Sequence, residues 1–398
     1  MPLFITVLII GILSGAEVDL FIPSFPELQK VFNLSPFMVQ LTLSANFLSY
    51  CVCSLFAGAL GDRFNRRIVI LGSLAIFIVG SMLCVGAANY VMLILGRFLQ
   101  GVGMSGPAIL AYVIIADEYP LEKQPAMLGM LNGIVTLAMA FAPVIGSYVN
   151  LYFNWRGNFV ILLLLGIISF LAGYFVIPNH KGDPSISLSP TTYLPLLKSK
   201  KLMIFIMSIV FLGTSYWTFI GMAPIFYMEG MNVDLKHFGF YQGIIALAFS
   251  IFSILSPKIL TAYGFKKCLF YSIVFCAISA VLVLINTLLS VKTPMLITAP
   301  MVILAAAVVL PVNILYPIAL EVLDKSKART AALLNALRLL MTGALLEVIS
   351  YFYTGTFVQL GLSIVILTTL SMLLIRHIFN KNWAHLDKPS TGKVEHYT

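Results

Sequence analysis

Gly58-Ala59-Leu60-Gly61-Asp62-Arg63-Phe64-Asn65-Arg66-Arg67 is the stretch around which the chain is organised. One acid and three arginines stand between two apolar runs, Pro36 to Ala57 and Ile68 to Ala88, each of membrane-crossing length. Full charges are costly in hydrocarbon, so the stretch reads as a tight turn at a membrane surface, with small residues where the chain must bend. Two readings of its charges stand side by side: a gate that moves, or a basic loop that only sets topology.

The composition outside this turn agrees with a membrane setting. Hydrophobic residues make up 60% of the chain and charged residues 10%, against about 25% charged in soluble proteins. The net charge of +9 does not indicate nucleic acid, because the basic residues fall in short loops without an aromatic-studded patch. Cys51, Cys53, Cys84, Cys268 and Cys276 all lie in apolar segments and read as small core residues rather than disulfides or zinc ligands. The N-terminus has neither a basic region nor a small-residue cleavage site and reads as a first span.

Twelve apolar segments of bilayer length are predicted, centred near Leu13, Leu48, Ile78, Met104, Leu137, Gly166, Thr214, Ala248, Ala277, Ala307, Ala344 and Ile366. The fold class is therefore all-α and polytopic. Of the 24 Lys and Arg residues, 18 fall on the side of the Asp62–Arg67 turn. Lys30, Arg156, Lys236 and Lys292 fall on the other side, and Arg97 and Arg338 lie within spans. By the positive-inside rule both termini face the cytoplasm of a cell with the chain in its inner (plasma) membrane. The segment 178–201, with Pro178, Pro184, Pro190 and Pro195, divides the chain. The expected organisation is a six-helix half (1–177), a cytoplasmic linker (178–201), a second six-helix half (202–377) and a cytoplasmic tail (378–398). A shift of 200 residues places Arg66-Arg67 on Lys266-Lys267 but Asp62 on Ala262, so half of the charged turn repeats.

The turn resembles the G-x-L-x-D-R-x-G-R-R signature of the major facilitator superfamily, with Asn65 in place of a glycine. Val39-Gln40-Leu41-Thr42-Leu43-Ser44 and Asp19-Leu20-Phe21-Ile22-Pro23-Ser24-Phe25-Pro26 resemble the bicyclomycin-resistance (Bcr/CflA) type of drug:proton antiporter. Arg97, Gln100 and Gly101 are similar to its fourth-helix R-x-x-Q-G. Ala142-Pro143-Val144-Ile145-Gly146-Ser147 resembles its fifth-helix G-P-x-x-G-G with two glycines replaced. Asn154-Trp155-Arg156 resembles its W-R at the start of the sixth helix, an expected interfacial anchor. The family's basic residue between Arg97 and Asp117 is missing. The resemblance implies two six-helix halves, transport of a small molecule against protons, and no cofactor beyond the proton gradient.

Candidate residues follow from chemistry and from this resemblance. Glu17 and Asp19, two residues apart on a helix, point in roughly opposite directions. The resemblance selects Asp19, paired with Arg97, for proton coupling. For Glu17 a polar contact to a neighbouring helix or to headgroups remains open. Gating falls to Asp62, Arg63, Arg66, Arg67 and Asp117: the resemblance implies that Asp62 meets the start of the eleventh helix, near Ser326 to Thr330, and that Arg66 meets Asp117. Gln100, Asn46, Tyr216, Trp217, Asn313, Tyr316, Arg338 and Glu347 are candidates for substrate contact; the second-half residues are also readable as packing or interhelical hydrogen-bond residues, and Glu347, near the outer third of its helix, as plainly solvated. Gly101, Gly103, Pro143 and Gly146 read as helix-packing positions. Gly101-Val102-Gly103-Met104-Ser105-Gly106 fits G-x-G-x-x-G, but no βαβ unit surrounds it, and small residues in a span let helices approach closely.

No H-E-x-x-H, nucleophile elbow or phosphate-binding loop is present in the sequence, so an enzyme or ATP-driven pump is not the expectation. The expected function is export of a drug, siderophore or metabolite by proton antiport, by a monomer in the lipid bilayer. Phe47, Met104, Met130 and Met139 suggest adaptable, amphiphilic ligands. An importer or uniporter on the same fold, or a non-transporting receptor or scaffold, stays open. Topology is checked directly: cysteines introduced in 178–201 should resist an impermeant thiol reagent applied outside intact cells, and one near Asn232 should react. Labelling of residue 190 from outside would overturn the orientation.

Overall fold

The computed structural model describes residues 1–120, 124–179, 182, 184–185, 188–323, 327–381 and 383, almost all of them helical. In chain order the helices are α1 (Pro2–Asp19), α2 (Phe25–Phe32), α3 (Pro36–Phe64), α4 (Arg66–Val85), α5 (Tyr90–Glu118), α6 (Gln124–Val176), α7 (Leu194–Lys198), α8 (Lys200–Pro224), α9 (Leu235–Leu288), α10 (Pro294–Glu321), α11 (Lys327–Tyr351) and α12 (Val358–Asn380). A 3-10 turn at Ile22–Ser24 and a π-helical turn at Ile225–Gly230 extend α1 and α8. Much of the tail and Ser326 lie outside the described residues, as does the side chain of Asp62.

Ten helical runs among the described residues are long and apolar enough to cross a membrane. Two of them, α6 with 53 residues and α9 with 54, each consist of two helices that meet at one non-helical residue. Those residues are Asn154, at φ 55°, and Gly264, at φ 74°. Counting both parts of each gives twelve segments, and the twelve predicted centres fall one in each.

Asparagine does two jobs at these breaks. Asn65 adopts φ 101° between α3 and α4, and its side chain accepts from Arg67 N at 2.9 Å. Asn154 accepts from Arg156 N at 3.0 Å. Asparagine tolerates positive φ because its short amide bonds the local backbone, and the same amide caps the helix that follows. The second half places glycine, Gly264, just before its own basic pair Lys266-Lys267.

Close helix approach explains the small residues of α5. A side chain at Gly101 would strike Asn46 O and Ser49 Oγ of α3, and one at Gly103 would strike the Phe77 backbone of α4. Gly146 sits on Leu20 O in the same way, three residues past the helix-interior Pro143. Backbones this close leave α3, α4 and α5 no freedom to slide independently.

The helices before residue 178 meet those after 201 along two seams, α3 on α11 and α6 on α9. The face carrying the Asp62–Arg67 turn is the basic face. Among the described residues, the halves are joined by contacts at mid-depth and toward the opposite face. Gln29 Nε2 donates to Glu229 Oε1, Gln40 Nε2 to Gly221 O at 2.7 Å, and Ser44 Oγ to Gly343 O at 3.3 Å. Phe37 meets Tyr351 edge-on. At mid-depth, Ser250 Oγ donates to Thr136 O at 2.7 Å.

Candidate functional site

Helix periodicity separates Glu17 from Asp19 by about 200° around α1, and the structure gives each a different neighbourhood. Glu17 turns inward between α3 and α5. Arg97 Nη1 donates to Glu17 Oε1 at 3.1 Å and to Gln100 Oε1 at 2.7 Å. Asn46 Nδ2 donates to the same carboxylate oxygen at 2.8 Å and to Arg97 O at 3.2 Å. Gln100 Nε2 passes the chain on to Ser81 Oγ at 2.8 Å. The guanidinium lies 4.8 Å from the centre of the Phe21 ring. Glu17 is 1% exposed and Arg97 0%. Arg97 Nε and Nη2 are enclosed without a hydrogen-bond partner.

This corrects the expected Asp19–Arg97 pair: Arg97 is held by Glu17. The reason is rotational. Periodicity fixes that the two acids diverge, and the contact of α1 with α5 and α6 turns the Glu17 side toward the arginine. Asp19, 4% exposed, makes no ion pair among the described residues. It lies on the other side of α1, within electrostatic reach of Tyr216 on α8. It therefore faces the other half. Asn46 and Gln100, expected near substrate, are fully buried members of the Glu17–Arg97 network.

The remaining candidates divide. Tyr216 is buried, stacked on Phe249 and edge-on to Trp217. Arg338 lies over the Trp217 ring at 5.6 Å and donates from Nη2 to Asn335 Oδ1 at 2.8 Å. Tyr50 and Tyr316 lie within electrostatic reach of Arg338. Tyr112 donates to Asn132 Oδ1 at 2.8 Å and lies near Tyr316. Trp217, Tyr50, Tyr112, Tyr316, Asn335 and Arg338 all keep partial exposure although they sit within the spans. They form a partly exposed group of polar and aromatic side chains contributed by both halves. Tyr50 and Tyr112 were not singled out by sequence; a tyrosine one helical turn beyond Asn46, in an otherwise apolar span, was the available signal.

Three other expectations change. Asn313 donates to Ser256 Oγ at 2.7 Å between α10 and α9, a packing contact. Both oxygens of Glu347 are enclosed, with Ser44 beside them, so its place toward the helix end brings no solvation. Trp155 is not an interfacial anchor: it is 1% exposed, packed edge-on against Phe32 and Phe159. Arg156 covers its ring at 4.2 Å and donates to Val85 O and Ala87 O, closing the end of α4. Among the methionines, Met104 is core and Met130 is 56% exposed.

On the basic face, Arg66 pairs with Asp117 at the end of α5, both side chains about one-third exposed. Arg67 Nη2 donates to Tyr174 O at 2.6 Å, and Arg63 lies over Phe64. These contacts tie the turn to α5 and α6 of its own half. The side chain of Asp62, and with it the expected contact to the start of α11, lies outside the described residues. A separate recess of about 350 Å³ between α1 and α6, lined by Ile12, Ala16, Leu20, Ile134 and Phe141 among others, is apolar and offers nothing to orient a polar ligand. No cluster of three or more potential metal-ligating side chains occurs among the described residues.

The two acids of α1 differ in what their loss should do. Glu17→Gln leaves a buried guanidinium without a counter-charge, a change that typically costs ~3–5 kcal/mol. Asp19→Asn removes a carboxylate with no cation to lose. Thermal unfolding in detergent should show a marked drop for Glu17→Gln and near wild-type stability for Asp19→Asn; the reverse order would refute this division.

Residues 7–346 match the sequence pattern of the Major Facilitator Superfamily. Among curated relatives, a bicyclomycin resistance protein homolog of Haemophilus influenzae is 28% identical over 276 residues, 66% of this chain and 68% of that protein. The multidrug resistance protein MdtL of Citrobacter koseri is 27% identical over 224 residues, 56% of this chain and 57% of that protein. Among solved structures, a D-xylose-proton symporter superposes with a TM-score of 0.76 at 13% identity over 99% of both chains. The inward-open form of the xylose transporter XylE from E. coli gives 0.74 at 12% identity, over 98% of this chain and 97% of that one. Identities this low speak to the fold alone. With the family pattern running over most of its length and its helices in the family's arrangement, this membrane-embedded chain belongs to the Major Facilitator Superfamily.

Proposed function

We propose that the chain is a secondary active transporter that exports a small amphiphilic compound in exchange for protons, through alternating access between its halves. The observation that carries this reading is Asp19: a carboxylate inside the span, turned toward the other half, with no ion pair among the described residues. An intramembrane acid without a fixed partner is functional by default. Its neighbour Arg97 is committed to Glu17, so proton gain and loss falls to Asp19, with Arg97 holding the α1 backbone that presents it. The names of the relatives, bicyclomycin resistance and multidrug resistance, favour efflux of drug-like compounds over uptake.

The remaining assignments follow from this reading. The basic face is cytoplasmic, both termini lie there, and the membrane is the plasma (inner) membrane. Residues 178–201 link the halves and 378–398 form the tail. The contacts that join the halves at mid-depth and toward the opposite face support an inward-facing reading. The protein works as a monomer, draws on the proton gradient and needs no cofactor. Arg66 and Asp117 hold the gating turn in position, and Asp62 latches it to the start of α11 when the cytoplasmic side closes.

Two experiments test this. Inside-out vesicles with an acid interior, screened against antibiotics, siderophores and small metabolites, should accumulate substrate until a protonophore is added. Asp19→Asn should bind substrate yet fail to accumulate it. Movement that ignores the protonophore would indicate a uniporter, and no movement of any compound would favour a receptor or scaffold. For the turn, Arg66→Asp and Asp117→Arg should each slow transport, while the double exchange recovers part of the rate. A partly exposed pair of this kind contributes ~0.2–1 kcal/mol, enough to bias a balanced equilibrium but not to unfold the protein. No recovery in the double exchange would refute the pairing role.

A further inference from the structure

Two arginines lie inside the spans, and they are treated in opposite ways. Arg97 is sealed, with a carboxylate on it. Arg338 stands about eleven residues, ~16 Å, from the basic-face end of α11, a depth at which a charge is expensive. It makes no ion pair among the described residues. Its seen partners are neutral: Asn335 Oδ1 takes one of its five N–H groups, and the Trp217 ring takes the face of the guanidinium. Its other donors are not sealed, because Arg338 keeps exposed surface and none of its atoms is both enclosed and unpartnered.

The head of Arg338 is also held in place. Its stem packs over Gly213 of α8, where a side chain would press on its methylenes at 3.2 Å. Asn335 and Trp217 fix the plane of the guanidinium from two sides. Tyr50 approaches from the first half and Tyr316 from the second, with Tyr112 nearer the basic face and in reach of Tyr316. A partly exposed planar fork of donors, set beside aromatic rings and with no acid paired to it among the described residues, has the shape for a carboxylate or sulfonate carried on an apolar body.

We infer that Arg338, with Trp217, Asn335, Tyr50 and Tyr316, forms an anion subsite, and that the substrate class is an amphiphilic organic acid transported as its anion. This rests on the transporter reading for its meaning, but not for its geometry. The anion supplies a counter-charge that no described residue gives. Because Tyr50 and Arg338 come from different halves, a ligand bound there touches both.

The test uses the full-length protein in lipid nanodiscs and three matched probes, 2-naphthoate, 2-naphthamide and 2-naphthylmethylammonium, measured by titration calorimetry. The wild type should bind the carboxylate about tenfold or more tightly than the amide, with the ammonium weakest. Arg338→Gln should reduce carboxylate affinity to that of the amide while leaving the amide unchanged, and Arg338→Lys should keep part of the preference. A merely structural arginine would weaken all three probes alike, which overturns the subsite. So does equal binding of carboxylate and amide by the wild type, a comparison that needs no variant, or absence of 2-naphthoate binding at millimolar concentration. The transporter reading fails separately: anion preference intact but no gradient-driven movement of any compound in vesicles leaves the subsite standing. Export of an organic anion at an unchanged rate in Arg338→Gln removes the subsite and leaves the transporter.

Discussion

The Glu17–Arg97 ion pair is the constraint on which the first half depends. Two full charges at 0–1% exposure are tolerable in a membrane protein when each neutralises the other and further hydrogen bonds support them. Asn46, Gln100 and Ser81 supply such bonds, from α3, α5 and α4, although Nε and Nη2 of Arg97 stay without a partner. One carboxylate thus clamps four helices. The glycines of α5 are the steric side of the same arrangement, since the polar groups reach one another only because the backbones nearly touch. The aromatic rings of Phe21 and Phe159 close the site from the α1 end.

A rigid first half has a functional corollary. If Arg97 were free to trade partners, α1 would have to rotate or the network would have to break. With Arg97 committed, Asp19 is presented to the other half at a fixed angle by a helix that is pinned two residues away. The two carboxylates of α1 thereby have separate duties: one holds the helix and the other faces the seam. On the second half the polar groups are looser, with partial exposure at Trp217, Tyr316, Asn335 and Arg338. The asymmetry matches the sequence echo, in which only part of the charged turn repeats.

Much of this was legible before the structure. Bilayer-length apolar runs located all twelve segments, because length and hydropathy are one-dimensional properties. The turn was legible from its charges between two apolar runs, and the Arg66–Asp117 contact was implied by the family resemblance. The choice between Glu17 and Asp19 was not. Periodicity says that the two diverge, but the absolute rotation of α1 depends on which face packs against α5 and α6, a property of several helices at once. For the same reason Asn46 and Gln100 read as cavity residues when they are structural. Trp155 read as an interfacial anchor, since a Trp-Arg pair at a span end looks the same whether the ring faces headgroups or core. Glu347 shows the limit most plainly: its position along the helix suggested water, while its position around the helix denies it.

The Ser250–Thr136 hydrogen bond lies near the middle of the α6–α9 seam, and Gly239 and Gly243 beside it rest against Ser147 and Val144. A contact at the centre of a long rod has the properties of a fulcrum. Rotation about it displaces the centre least and the tips most, so a single hydrogen bond there survives a tilt that would tear one placed at either end. The small side chains around it act as a bearing surface, with little to interlock. The geometry of this seam therefore separates two mechanical demands, cohesion at the pivot and travel at the rims, and assigns them to different depths of the same pair of helices.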